Sequence, residues 1–353
     1  GPGNDYNDPF ISDGLAVPWY AALGNHETLY NGGFGRITDE VREAAAKGEV
    51  YTSNIFTNGF RDGSTVHGDV VTEGATPADE KRVPQRIQEA LQLIYEAGGE
   101  PQGHGLSASD VEASRGYFSA HPIDGKPIRL ITLQTVNPNG GFGVGSQGYM
   151  DETQFTWLKE ELASADAAHE LVIILAHHRA GNILKSSPVS GEELTTALSE
   201  SEGVVLQVTG HGHYNAASSF DPPEESDPQF GYWELMLSST VDFPMHSRII
   251  EIVDDDNGHI SIYVTNLEHN SPQDTLAHTG RALAAGEISF SSYHNGGDVV
   301  AYWEEDVPSQ NLLLRIRIPD TVRDELKKYD WPTRIESEET LRLFSSPLSD
   351  SGE

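Results

Sequence analysis

Three short motifs contain the residue types in this sequence that could do chemistry. They are Gly24-Asn25-His26-Glu27, His177-His178 and Gly210-His211-Gly212-His213. Each follows an apolar run that predicts a buried strand, and α/β folds place their sites in the loops after strands. One histidine in such a loop more often makes ordinary hydrogen bonds, but a His-x-His pair lets both imidazoles approach one metal cluster. The three motifs together therefore indicate a shared metal site.

In this order, the motifs resemble those of the calcineurin-like metallophosphoesterase superfamily. That superfamily shares Asp-x-His, Gly-Asp-x-x-Asp/Asn, Gly-Asn-His-Asp/Glu, a single histidine and Gly-His-x-His, and the last three are present here. Residues 148–162 also resemble its Asp-x-x-Gln-x-x-Trp-Leu helix, and residues 232–248 resemble a bacterial secreted subgroup. The similarity covers residues 15–267.

The resemblance implies a role for each motif residue. The implied metal ligands are Asn25, His177 and His211 for one ion and His213 for a neighbouring ion. His26 is implied to hydrogen-bond the phosphate and to stabilise or protonate the leaving group, and Glu27 is implied to orient His26. His178 and Arg179 are expected to contact the substrate.

The resemblance implies two divalent metal ions as cofactors, and Mn, Fe, Zn or similar ions suit imidazole, amide and carboxylate ligands. Two ions about 3.5–4 Å apart can hold a bridging hydroxide and phosphate-ester oxygens together. The hydroxide attacks phosphorus in line, while the ions and His26 neutralise the charge that develops. The expected substrate is a phosphorylated small molecule, in a cleft that we expect Asp242 and His246 to line.

The sequence departs from the superfamily pattern because its first two motifs are missing. Asp-x-His occurs nowhere, and the only Gly-Asp pairs, at 68–69 and 297–298, follow the Gly-Asn-His-Glu motif instead of preceding it. Three explanations stay open: a fragment of a longer protein, a domain that needs a partner chain, or a degenerate member that binds one ion or none. Gly1-Pro2, which resembles the product of protease cleavage, favours a missing N-terminal segment.

Continuous apolar runs and helical spacing of apolar residues predict the elements that position these motifs. The predicted strands cover residues 15–23, 129–136, 171–176, 204–208, 232–239, 247–253, 259–265 and 311–317. The predicted helices cover residues 38–48, 79–97, 151–163, 191–201, 274–285 and 319–329. We predict an α/β fold, a layered sandwich of two mixed β-sheets flanked by helices. In a fragment, N-terminal strands would be missing from one sheet.

Two regions are predicted along the chain. Residues 1–270 are expected to form the metallophosphoesterase domain, and residues 271–353 a C-terminal extension that packs on the same domain. Residues 28–115 include an irregular stretch, 49–78, that is rich in Gly, Thr and Asn. We expect the whole of 28–115 to be an insertion that shapes the substrate cleft.

The composition limits the partners. The chain has 55 acidic against 22 basic residues, a formal net charge of −33, which argues against binding to a nucleic-acid duplex or an anionic membrane. Adaptation to high salt would explain this excess, and bound metal ions would have to reverse the charge locally for a phosphorylated substrate. With no cysteine, disulfides, thiolate zinc sites and a cysteine nucleophile are excluded. No apolar run is long enough for a membrane span.

These observations favour a metal-dependent phosphoesterase acting on phosphate mono- or diesters. The alternative is a non-catalytic binding or structural module on a degenerate phosphoesterase fold. A serine hydrolase is disfavoured because the sequence has no Gly-x-Ser-x-Gly elbow. The secreted subgroup implies an extracellular or periplasmic protein, although the acidic composition also suits the cytoplasm of a salt-adapted cell.

Overall fold

Two β-sheets flanked by helices make up the described part of the molecule, in agreement with the predicted mixed α/β fold. The computed structural model describes residues 14–28, 38–47, 51–52, 70–71, 78–81, 83–137, 146–221, 231–273, 275–294 and 311–329. The predicted irregular stretch 49–78, apart from its two short strands and residue 78, and both Gly-Asp pairs lie outside these residues. No described helix is both long and apolar enough to cross a membrane.

The strands and helices are numbered in chain order. The strands are β1 (Tyr51–Thr52), β2 (Val70–Val71), β3 (Phe118–Ala120), β4 (Ile128–Leu133), β5 (Leu171–Ala176), β6 (Val204–Thr209), β7 (Ala216–Phe220), β8 (Tyr232–Met236), β9 (Ser247–Asp254), β10 (His259–Leu267) and β11 (Leu312–Arg317). The α-helices are α1 (Asn25–Thr28), α2 (Asp39–Lys47), α3 (Ile87–Glu96), α4 (Ala108–Glu112), α5 (Glu152–Ala168), α6 (Gly191–Ser199), α7 (Leu276–His294) and α8 (Asp320–Leu326).

The larger sheet has six strands, in the order β3-β4-β5-β6-β8-β7. The four central strands are parallel, whereas the edge strands β3 and β7 are antiparallel to their neighbours. Central parallel strands are buried on both faces, which explains the continuous apolar run Leu171–Ala176. The carboxyl ends of β4, β5, β6 and β8 therefore lie along one edge of the sheet.

The smaller sheet, β11-β10-β9, is antiparallel throughout. A four-residue turn, 255–258, joins β9 to β10, and such a short connection permits only antiparallel pairing. Asp256 and Gly258 in this turn have φ values of 55° and 88°. The third strand and α8 come from the predicted C-terminal extension. The division of the chain at residue 270 stays a prediction.

Apolar side chains cover both faces of the larger sheet. On one face, Ile174 packs with Leu158 of α5 in a cluster that also includes α6. On the other face, Leu206 belongs to a cluster with Ile262 of the smaller sheet and Val322 of α8. All five side chains are at most 1% exposed. Burial of this apolar surface is the main favourable contribution to folding.

The predicted strand over residues 15–23 is wrong. This segment has no regular structure, and Leu15 and Val17 are 62% and 61% exposed, whereas Leu23 is buried. A strand needs a partner for its backbone groups, and no strand pairs with this segment among the described residues. Instead, Leu23 packs in a separate small cluster with α3 and α4.

Besides the short elements β1, β2 and α1, three elements were not predicted: the strands β3 and β7 and the helix α4. The two strands lie at sheet edges and contain small or polar residues, so their sequences lack a clear apolar pattern. The helix begins with a capping box between Ser107 and Asp110, whose side chains bind each other's backbone N–H groups. This spacing is a recognisable signal for the start of a helix.

A buried ion pair ties β4 to helix α5 and to the start of β5. The Arg129 side chain, 9% exposed, donates to Glu170 at 2.6 Å and to Glu161 at 2.8 Å. We expect Arg129→Leu to lower the free energy of unfolding by roughly 3–5 kcal/mol, because Glu170 would keep a buried charge without this partner. Urea unfolding measures the change.

The control for this prediction is Lys47→Leu, which removes an exposed pair with Glu43. Exposed pairs contribute roughly 0–1 kcal/mol. Equal losses in the two variants would show that burial of the Arg129 pair carries no special cost.

Candidate metal centre

Two of the three histidine motifs meet at the carboxyl edge of the larger sheet. His177 follows β5 directly, and Gly210 follows β6, its parallel neighbour. The Gly210 N–H donates to the His177 carbonyl oxygen at 3.0 Å, which links the two loops at their first residues. The rings of His177 and His211 lie edge to face, with centroids 5.2 Å apart.

Asn25 joins this pair from a distant part of the sequence. Its Oδ1 atom lies 2.7 Å from His177 Nε2 and 3.2 Å from His211 Nδ1. An amide oxygen only accepts hydrogen bonds, so each ring nitrogen carries a proton when it donates to Asn25. That proton would have to move to the other nitrogen of the same ring for the first nitrogen to bind a metal ion. Three potential ligand atoms, one oxygen and two nitrogens, therefore converge at one point.

These three atoms fit a divalent metal ion. Imidazole nitrogens and an amide oxygen suit Zn, Mn or Fe, and imidazole must be neutral to bind a metal. Burial, reinforced by the neighbouring His211 ring, lowers the pKa of His177 to about 4. Burial and the nearby His213 and His26 rings also lower the pKa of His211. Both rings are therefore neutral near pH 7.

Close packing around Gly24 holds Asn25 in place. A Cβ atom at Gly24 would lie 2.6 Å from Glu27 Oε2 and 2.8 Å from His177 Cε1, so a larger residue would displace one or both of these side chains. Glu27 Oε2 accepts the Gly24 N–H at 2.8 Å, at the start of α1. His26 is exposed beside the cluster. The predicted catalytic role of His26, and its orientation by Glu27, stay predictions.

His178 is fully buried and belongs to a closed hydrogen-bond network. Its Nε2 lies 2.9 Å from the Ser146 carbonyl oxygen, so Nε2 must donate and Nδ1 must accept. The Thr135 hydroxyl donates to Nδ1 at 3.0 Å and accepts the His178 N–H at 3.0 Å. Burial and the neighbouring His177 ring lower the pKa of His178 to about 3.

This network bears on whether His178 or Asn25 is the third ligand beside His177 and His211. The ligand atoms of His177, His178 and His211 all lie within 4.8 Å of one another, as in a three-histidine metal site. Both ring nitrogens of His178 are already engaged, however, so the oxygen of Asn25 is the better third ligand. The predicted substrate contact of His178 stays a prediction, and its burial does not favour it.

An ion pair and a hydrogen bond hold the Arg179 side chain. Its Nε donates to Glu234 Oε1 at 2.5 Å and its Nη2 to Ser218 Oγ at 3.2 Å. The Glu234 side chain is only 1% exposed, and a buried carboxylate needs such a partner. The predicted substrate contact of Arg179 also stays a prediction.

The fourth predicted ligand, His213, lies farther out. Its side chain is 41% exposed, and its Nδ1 atom forms a hydrogen bond with Asp242 Oδ2. His211 and His213 have φ values of 69° and 58°, which non-glycine residues rarely adopt. Such backbone conformations cluster at functional sites. His246, predicted to line the cleft, is instead buried.

A cavity of about 370 Å³ opens at the same edge, at the carboxyl end of β4. It is lined in part by Arg115, Tyr117, Gln134, Tyr149 and Asp151. The first two come from the end of the predicted insertion 28–115 and from the residues just after it. Thr135 and this cavity were missed in the sequence, although their position after β4 matches the general rule for sites in α/β folds.

Comparisons with known proteins leave the family open. Neither a protein-family model nor a curated protein matches the sequence. A crystal structure of a dimetal phosphatase from Danio rerio is similar over 43% of this chain, with 13% sequence identity and a TM-score of 0.30. The matched region spans 58% of that structure's length. A TM-score this low establishes neither family nor activity.

The hydroxyl of Thr135 should stabilise the protein through His178. We expect Thr135→Val to lower the free energy of unfolding by about 1–3 kcal/mol. Valine keeps the shape of threonine, but it has no hydroxyl, so His178 would lose a buried hydrogen-bond partner. Thr135→Ser, which keeps the hydroxyl, is the matched control. Urea unfolding that gives the same stability for the Val and Ser variants would contradict this network.

Proposed function

We propose that the protein is a metal-dependent phosphoesterase that hydrolyses phosphate mono- or diesters. The convergence of Asn25 Oδ1, His177 Nε2 and His211 Nδ1 on one point carries this proposal. These three side chains come from motifs up to 186 residues apart, and both histidine nitrogens contact the same Asn25 oxygen. They meet at the edge of the sheet where α/β enzymes bind substrates. His213 is the proposed ligand of a second ion.

The cluster needs a cation to bind phosphate. His177 and His211 are neutral near pH 7 because burial lowers their pKa values, and Arg179 is bound to Glu234. The protein also carries a formal net charge of −33, which repels a phosphorylated molecule. Bound divalent metal ions would supply the positive charge and the Lewis-acid chemistry for ester hydrolysis.

The side chains around the cluster have separate proposed tasks. Asn25, His177 and His211 hold a metal ion, and the exposed His26 donates a hydrogen bond to the ester oxygen that leaves. Thr135 and His178 fix the neighbouring backbone through their buried hydrogen bonds. The cavity at the end of β4 is the proposed space for the leaving group.

The second candidate function is a non-catalytic binding or structural module. One observation favours it: among the described residues, the three converging atoms belong to neutral side chains, without a carboxylate to bridge two ions. For the enzyme, we propose that another segment or a partner chain supplies the bridging carboxylate.

Metal content and hydrolysis together test the proposal. We expect protein loaded with Mn²⁺ or Zn²⁺ to hydrolyse p-nitrophenyl phosphate or bis(p-nitrophenyl) phosphate. His211→Ala should lose at least one bound ion and about 100-fold or more in activity, because it removes a direct ligand. His259→Ala is the control, since His259 lies in the smaller sheet.

The outcomes separate the two functions. Metal binding that depends on His211, with hydrolysis that depends on it equally, supports the phosphoesterase. Metal binding that depends on His211 without hydrolysis of either ester favours the binding module. Equal metal content in wild type, His211→Ala and His259→Ala would contradict the proposed metal centre.

A further inference from the structure

The loop after β8 carries a carboxylate to the edge of the proposed metal centre. Strand β8 is the parallel neighbour of β6, and the Leu237 N–H donates to the Thr209 carbonyl oxygen at 2.8 Å. The two loops that follow these strands therefore leave the sheet side by side. Asp242 of the β8 loop forms a hydrogen bond through Oδ2 with Nδ1 of His213, in the β6 loop.

Asn215 fastens both ends of the loop that carries Asp242. Its Oδ1 accepts the Ser238 N–H at 3.0 Å, and its Nδ2 donates to His246 Nδ1 at 3.3 Å. His246 is buried, and its Nε2 lies 3.3 Å from Glu268 Oε1. Because Asn215 is only two residues from His213, the same side chain connects the two loops.

Hydrogen bonds within the loop also hold Asp242. Its N–H donates to Ser239 Oγ at 3.2 Å, and its carbonyl oxygen accepts the Met245 N–H at 2.8 Å. The carboxylate is 52% exposed, so its position depends on this backbone and not on burial. A side chain held in this way can select one orientation of the His213 ring.

The contact has a definite chemical consequence. An ionised carboxylate only accepts hydrogen bonds, so His213 must carry its proton on Nδ1 when it binds Asp242. The lone pair of the neutral ring is then on Nε2, the nitrogen on the other side. Histidines that bind metals commonly donate their second ring nitrogen to a carboxylate in this way.

We infer that Asp242 is a positioning residue for His213, which it holds with Nε2 available to a divalent metal ion. This inference rests on the proposed function. The carboxylate also adds negative charge close to a cluster whose other three proposed ligands are neutral. Through both effects, Asp242 strengthens binding of the ion that His213 contacts.

The protonation of the His213 ring provides a test that does not depend on activity. Long-range ¹H–¹⁵N NMR of the metal-free protein at pH 8 distinguishes the two neutral forms, and His213→Gln identifies the His213 signals. We expect the Nδ1–H form in wild type and in Asp242→Asn, whose amide oxygen still accepts. Asp242→Ala should shift the ring toward the Nε2–H form.

Metal titration with Zn²⁺ alone tests the consequence. Asp242→Ala should weaken binding of one ion by about 10–100-fold, and Asp242→Asn should fall between Asp242→Ala and wild type. Asp124→Ala is the control, because it removes the same charge from an exposed turn at the opposite edge of the sheet. A similar loss in Asp124→Ala would mean that overall charge, not positioning, is responsible.

Two results would overturn the inference, and they differ in what they say about the function. If wild type binds Zn²⁺ and Asp242→Ala binds it equally, the positioning role is wrong while the metal centre stands. If wild type binds no Zn²⁺, the metal centre and the positioning role both fail. Asp242→Asn keeps the test valid if Asp242→Ala does not fold.

Discussion

The parallel pairing of β5 with β6 is the constraint on which the candidate site depends. Adjacent parallel strands end at the same edge of a sheet, so their following loops must meet there. The hydrogen bond between Gly210 and the His177 carbonyl oxygen continues this pairing beyond the strands. The rings of His177 and His211 are neighbours for this reason, and Asn25 completes the group from outside the sheet.

The histidines at this edge of the sheet differ in burial and therefore in their hydrogen-bond partners. His178 is fully buried, and a buried ring with two polar nitrogens needs two partners, which Thr135 and Ser146 supply. His177 and His211 are partly buried and share Asn25, whereas the His213 side chain is 41% exposed and forms a hydrogen bond with Asp242. Chemically identical side chains within 40 residues therefore have different electrostatic environments.

Electrostatics explains why the proposed phosphoesterase would need a bound metal ion. An acidic protein does not attract phosphorylated molecules, and neutral imidazoles do not change that. Arg179, the cationic residue that directly follows the His177-His178 motif, forms an ion pair with Glu234. A divalent ion would convert this neutral cluster into a local centre of positive charge, and the same low-dielectric surroundings that keep the rings neutral would strengthen its field.

Local patterns in the sequence were enough for the central strands and most helices. The apolar runs of β5 and β6 and the helical spacing of Leu158 and Leu162 depend on period and length, which a single chain displays directly. The three motifs also indicated which side chains form the cluster. The strand prediction for residues 15–23 failed because an apolar run forms a strand only when another strand pairs with it. Which strands pair is a property of the whole fold.

The division of tasks among these side chains was decided only by tertiary structure. By itself, the sequence determined residue types and their order after strands, and therefore that a histidine cluster lies at one edge of the sheet. Contacts such as Arg179 with Glu234, Thr135 with His178, and Asp242 with His213 join residues 29 to 55 positions apart. Hydrogen bonds depend on distances of a few tenths of an ångström, and only the packed chain sets those distances.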